Sequence, residues 1–334
     1  MGVSHLSGLQ VAGVPTMGIA GLPAFFTGNY WFVDPVKGSD GNSGSANNPF
    51  QTLAQAQAQA VADNDDVVLF KGGGAATGAG SAYQSSTLLW AKNQVHLIGM
   101  CSPGMYGKRA RIAPSSSLDG TAGFNQLVKV TGAGCLFANL QSFYGFSNTA
   151  AALVNWEDDG GRSTYLNCEF LGFGDNTTTT GTANLTGARA IKLNNSVGET
   201  TFVNCVFGIN TTTRNATNYT MEIAGGCPRV IIRDSVFDSL LGSSGGASSH
   251  ILIGTNGIDR ELVIEGTAFL SSVLSGGTAM AQAFNVSTTA GGGVLARKGC
   301  TSFGVTAWET TPSNSVFIDM GAVSAPGGGK SLVL

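Results

Sequence analysis

Charge is scarce in this sequence: its 334 residues carry 17 Lys and Arg against 20 Asp and Glu, for a formal net charge of −3. Phosphate backbones are bound by clustered Lys and Arg, so so thin a supply gives no footing for a nucleic-acid partner, and none is expected. Histidine is rarer still. His5, His96 and His250 are spaced neither as metal ligands nor as members of a catalytic triad. The six cysteines (Cys101, Cys135, Cys168, Cys205, Cys227, Cys300) contain no CxxC pair and fall far below the density of a disulfide scaffold. Neither a metal nor any other cofactor is expected. No run of about twenty apolar residues is present to span a membrane, and no basic segment leads into an apolar stretch, so no signal peptide is expected either.

What the sequence has is glycine, 49 residues of it, and repetition. TYLNCEF (Thr164 to Phe170) returns as TFVNCVF (Thr201 to Phe207), VIIRDSVF (Val230 to Phe237) and LVIEGTAF (Leu262 to Phe269). Each copy is a short alternating run closed by a Phe, and Phe170, Phe207, Phe237 and Phe269 fall 37, 30 and 32 residues apart. The Phe-closed series continues in the degenerate VLARKGCTSF (Val294 to Phe303), and a second series of strands lines up beside it: ALVNW (Ala152 to Trp156), AIKLNN (Ala190 to Asn195), TMEIAG (Thr220 to Gly225), HILIGTN (His250 to Asn256), AFNVST (Ala283 to Thr288) and SVFIDMG (Ser315 to Gly321). A unit of this size with two visible strands predicts a coil with a third short strand and one longer loop. No unit can bury its own inward face, so neighbours must stack into a continuous core. Propeller blades are longer, sandwich strands do not repeat residue by residue, and no helical pattern follows Ala62 to support an αβ or leucine-rich solenoid.

The stacked coil assigns roles. Asn167 and Asn204 are expected at a turn, bonding from coil to coil as a ladder. Cys168 and Cys205 are expected to face inward as small hydrophobes, and Phe170, Phe207, Phe237 and Phe269 to line the core. Ahead of the coils, Tyr30 to Val33 reads as an aromatic strand and Val67 to Phe70 as the next. Between them Leu53 to Ala62 reads as a helix capped by Thr52, with Leu53, Ala56, Ala60 and Val61 on one side. Residues 1–28 form an apolar arm broken by Gly and Pro, whose Leu6, Leu9, Val11, Val14, Met17, Ile19 and Leu22 would be costly to expose together. Residues 29–334 then form one domain: a capping region at 29–70, coils at 88–321 and a tail at 322–334.

Asp34-Pro35, Gly38-Ser39-Asp40, Asn42-Ser43-Gly44, Pro49-Phe50, Thr52-Leu53 and the strand Val67 to Phe70 together resemble the opening of right-handed parallel β-helix proteins of the pectate-lyase-like superfamily, many of them found among tailed-phage virion and tail proteins. The resemblance implies an all-β solenoid with a short N-terminal helix capping the first coil. It covers about forty residues and carries over no catalytic residue.

Two acidic groups are candidates for chemistry. Glu157, Asp158 and Asp159 follow the strand ALVNW, and carboxylates a few ångströms apart can serve glycoside cleavage. Asp234 and Glu265, one coil apart, could approach on an outer face. The plain alternative is that all are solvated turn residues. Arg162, Arg189, Lys192, Arg229 and Arg233 offer possible bases, though no lyase motif surrounds any of them. Trp90, Tyr144, Trp156, Tyr219 and Trp308 are candidate sugar-stacking aromatics, with core packing as the alternative. The resulting expectation is a structural virion protein of a tailed phage, a trimeric capsid decoration or cement protein or a fibre-like one, made in the host cytoplasm and located on the virion, attached to capsid or other virion proteins through residues 1–28. The alternative expectation is a tailspike-like depolymerase, hydrolase or lyase, acting on a host surface glycan.

Overall fold

The computed structural model describes residues 26–73, 80–115, 126–144, 154–172, 186–194, 196, 198–243, 245–287 and 293–309, and the backbone alone of Gln10–Val11, Val14–Pro15, Thr182–Ala183 and Val316–Asp319. Among these residues the chain winds into three long parallel sheets of ten, nine and seven strands. Each coil contributes one strand to each sheet in turn: Thr200–Val203, Val206–Arg214 and Tyr219–Ala224 make one coil, and Cys227–Arg233, Val236–Leu241 and Ser249–Ile253 the next. The fold is the expected all-β parallel solenoid.

Each repeat motif turns out to be a corner. TYLNCEF is the strand Thr164–Leu166, a bend at Asn167 and Cys168, and the strand Glu169–Leu171. The third strand of the coil was therefore inside the motif. At the bend the backbone enters the left-handed region at Asn139, Asn167, Asn204, Asp234, Gly266 and Gly299 on successive coils, with φ from 49° to 62°. Asn and Asp tolerate that region because their side chains bond locally, and Gly because it has no Cβ. The next position is filled by Leu140 and then by Cys168, Cys205, Ser235, Thr267 and Cys300, five small residues in succession beneath the corner. The Cys168 and Cys205 thiols each donate to a carbonyl of the preceding coil, those of Phe137 and Tyr165, at 3.4 Å.

Inward rings stack from coil to coil. Phe170, Phe207, Phe237 and Phe269 form one column, with centroids 4.6–5.5 Å apart. Phe137, Tyr165 and Phe202 form a second at 4.7–5.0 Å, and the two meet edge-on where Phe202 faces Phe207 at 77°. These spacings are the strand separation of a parallel sheet, so rings at one register position stack without rearrangement.

The N-terminal end is closed by the helix Leu53–Gln59, where the Thr52 hydroxyl accepts from the Gln55 backbone N–H. Leu53, Ala56 and Ala60 are buried, but Val61 is 52% exposed because the helix has already ended. The strand Val316–Asp319 belongs to the ten-stranded sheet beside Val294–Lys298, which corrects the expectation that SVFIDMG continues the series beginning with ALVNW. Of the arm, Gln10–Val11 pairs antiparallel with Val14–Pro15. Leu6, Leu9, Met17, Ile19 and Leu22, the side chains of Val11 and Val14, and the tail at 322–334 lie outside the described residues.

Candidate functional site

With Phe170, Phe207, Phe237 and Phe269 pointing inward, alternation sends the residues on either side of each outward, onto the face of the nine-stranded sheet. Register aligns them in rows along the solenoid axis. One row holds Arg111, Gln141 and Glu169; another runs from Phe143 through Leu171 and Gly208 to Asp238, Leu270 and Phe303. Carboxylates are therefore set into a face whose other outward positions are mostly apolar.

Glu169 is fully buried in a polar cluster. Gln141 Nε2 and the Lys108 backbone N–H donate to its Oε2, the latter at 3.2 Å, and Lys108 Nζ lies 3.9 Å from its Oε1. Arg111 Nε in turn donates to Gln141 Oε1 and its guanidinium lies 5.1 Å from the centre of the Phe143 ring. Burial pushes the Glu169 carboxyl up and the Lys108 ammonium down, and each charge opposes the shift of the other.

Lys108 belongs to a loop, residues 101–110, held over the corner. Asn139 Nδ2 donates to the carbonyls of Gly99 and Cys101, and Asn167 Nδ2 to that of Pro103 at 2.9 Å. The loop carries Tyr106, which is 55% exposed and feels the charges of both Asp238 and Glu169; burial first, and then those charges, raise its phenol. Asp238 is itself buried in the outward row, and burial pushes its carboxyl up to about 6. Such a group is half-ionised near pH 6 and keeps a minor protonated fraction at neutrality, so it can both accept and give a proton, while the Tyr106 hydroxyl stays a donor. Exposed rings stand farther along the same row, Phe303 two strands beyond Asp238 and Tyr83 toward the N-terminal end. Near the N-terminal end, Tyr83 and Gln84 border a cleft of about 230 Å3 with Pro35, Gln51 and Thr52, below the ~300–1,000 Å3 that encloses a small-molecule ligand. The face is open and elongated.

The acidic groups singled out from sequence lie elsewhere and do not form carboxylate pairs. Asp158 points into the core, where its Oδ1 accepts from the Gly160 and Gly161 backbone N–H groups and its Oδ2 from the Tyr165 hydroxyl at 2.8 Å. Burial raises its carboxyl. Glu157 faces out between Lys129 and Lys192 and accepts from Gln126 Nε2, and Asp159 pairs with Lys129 at 2.8 Å. Glu265 is in register with Arg233 and bonded to it at 2.8 Å, while Asp234 occupies the left-handed bend. Arg189 pairs with Glu222, and Arg229 with Glu199. Trp90, Tyr144 and Trp156 are core residues, Tyr219 stacks under Arg189 at 4.3 Å, and Trp308 packs on the core. Among the described residues no group of three or more His, Cys, Asp or Glu is placed to hold a metal ion.

No family model and no curated protein matches the sequence. Solved structures do match in shape. A pectin methylesterase in complex with a hexasaccharide superposes over 87% of this chain and 93% of its own, at 13% identity and a TM-score of 0.52. Pectin methylesterase PemA from Erwinia chrysanthemi does so over 86% and 92%, at 13% identity and a TM-score of 0.50. The fold is the right-handed parallel β-helix of the pectate-lyase-like proteins. Pectate lyase Pel9A matches at 15% identity and a TM-score of 0.46, over 92% of this chain and 82% of its own.

Proposed function

We propose that this chain is an enzyme acting on an extended polysaccharide laid along the outward face of the nine-stranded sheet, with Asp238 as the proton-transfer group. The observation that carries the reading is Asp238 itself, a carboxyl in an outward row, pushed up to about 6, whose charge is felt by the exposed Tyr106. Lys108 and Glu169 anchor the loop that brings Tyr106 there. Outward rings at Tyr83, Tyr106 and Phe303 supply apolar faces on which sugar rings can stack, and the open geometry suits a chain longer than any pocket would hold. That similarly folded proteins are described as pectin methylesterases, one of them with a bound hexasaccharide, is in keeping with a glycan substrate. The virion reading, with its trimer and its attachment to a particle, draws on the apolar arm, and nothing on the described surface adds to it.

The test is a panel of neutral and acidic linear polysaccharides, following reducing ends, unsaturated products and released ester groups, so that hydrolysis, elimination and deacylation are told apart. Turnover of at least one substrate is expected, reduced at least a hundredfold by Asp238→Asn in a chain with unchanged circular dichroism. An Asp238→Asn chain as active as the wild type would remove this assignment.

A further inference from the structure

The outward face of the ten-stranded sheet changes character half-way along. One register column reads Phe32, Leu69, Ile98, Ala138, Leu166, Val203 and then Arg233, Glu265, Lys298. Its second half is what a solvated sheet face requires, with Arg233 paired to Glu265 at 2.8 Å. Its first half is apolar and continuous, and in a face turned away from the core that composition calls for a cover. The cover is substantial: Val67, Ile98, Ala138 and Leu166 form a cluster of their own and are at most 7% exposed, although they point away from the interior.

The described residue that comes onto this face from outside the sheet is Phe26, whose ring lies 4.5 Å from that of His96. It is held there from behind, because the Asn29 backbone N–H and side-chain amide both donate to Asp66 Oδ1. The chain before Phe26 therefore leaves from the apolar half of the face. From Leu69 to Val203 the column is four strand steps of ~4.8 Å, or about 19 Å, which some six extended residues span at about 3.3 Å each. Residues 1–25 hold that length several times over and contain no Asp, Glu, Lys or Arg.

We infer that the N-terminal arm docks on its own solenoid, its apolar residues covering the stripe from Leu69 to Val203 and stopping where Arg233 begins the charged half. This makes the arm a brace on the first coils and assigns the uncharged half of the face an occupant within the same chain. The inference stands apart from the polysaccharide site, which lies on a different sheet.

Proteolysis of the full-length chain tests it. A protease cutting after large apolar residues is expected to cleave at Leu6, Leu9 and Met17 at least tenfold faster in an Ile98→Asp/Leu166→Asp chain than in the wild type. Val203→Asp, at the partly exposed end of the stripe, is expected to give a smaller acceleration and serves if the double variant does not fold. Equal cleavage rates in wild type and Val203→Asp would overturn the inference. So would wild-type protection that vanishes on dilution in step with a fall in mass, since the arm would then be covering a second copy.

Discussion

The side-chain amide of Asn204 donates to Oδ1 of Asn167 across 3.0 Å, one coil to the next, and Asn167 makes the same bond to Asn139. Asn167 thus both gives and receives, and the corner's buried polar groups are satisfied by its own repetition.

Asn167 therefore has two duties that substitution can separate. Asn167→Ala removes the ladder bonds and the bond to Pro103 and leaves a Cβ at φ 53° without the side-chain hydrogen bonds that offset its strain; a loss of about 2–4 kcal/mol is expected. Asn167→Gly loses the same bonds without the backbone strain, so it is expected to be more stable than Asn167→Ala by about 1 kcal/mol in urea unfolding. Equal midpoints for the two variants would show that the left-handed bend imposes no cost.

Phe207 touches rings on both sides of its column and the edge of Phe202. Phe207→Ala is expected to destabilise by about 3–5 kcal/mol, and Phe207→Leu by clearly less, because the cavity and not the lost ring stacking dominates. Urea midpoints of the two variants check the order.

Thiol reactivity should divide the six cysteines. Cys135, Cys168, Cys205 and Cys227 are buried, and burial pushes the Cys205 thiol up to about 12, so almost none is thiolate at neutral pH. Cys101 and Cys300 are partly exposed. A chromogenic disulfide reagent at pH 8 is expected to titrate those two in the native chain and the remaining four only on unfolding.

The coil repeat was legible in sequence because stacking imposes identity at fixed register positions, and the Phe column shows that constraint directly. The turn at Asn167 and Asn204 was legible as well, but the strand beyond it was not: in-out alternation resumes at Cys168, so Glu169–Leu171 looks like the end of one run and not like the coil's third strand. The same constraint concealed the site. Glu169 and Asp238 lie inside or directly after the repeat and read as scaffold, although Asp238 stands where other coils carry Leu171, Gly208 and Leu270, and that substitution of a carboxylate for a neutral residue was the available signal. Tyr106 and Lys108 left no such trace. Their places depend on Asn139 and Asn167 holding the loop across coils far away in sequence. The acidic run Glu157 to Asp159 misled because adjacency in sequence puts alternate strand residues on opposite faces, so Asp158 entered the core while Glu157 stayed outside.

Asp238 makes the proposed activity pH-dependent with a defined sign. Its folded carboxyl, raised by burial to about 6, holds a proton through the interval between the ordinary carboxylate value of 3.8 and about 6, where the unfolded chain has already released it. The group's contribution to stability is thus fully present below 3.8 and is lost as pH rises through about 6. Asp238→Asn, which cannot ionise, is expected to flatten the change in unfolding midpoint between pH 4 and pH 7 relative to the wild type. If Asp238 also transfers the proton in catalysis, the wild-type rate profile has a limb centred near pH 6, falling toward acid if the ionised form is the base and toward alkali if the protonated form is the acid. Tyr106→Phe leaves that limb in place and lowers its height, because the phenol donates a hydrogen bond without titrating in the same range. A rate profile flat from pH 4 to pH 8 in the wild type would separate Asp238 from the chemistry while leaving its stability effect measurable.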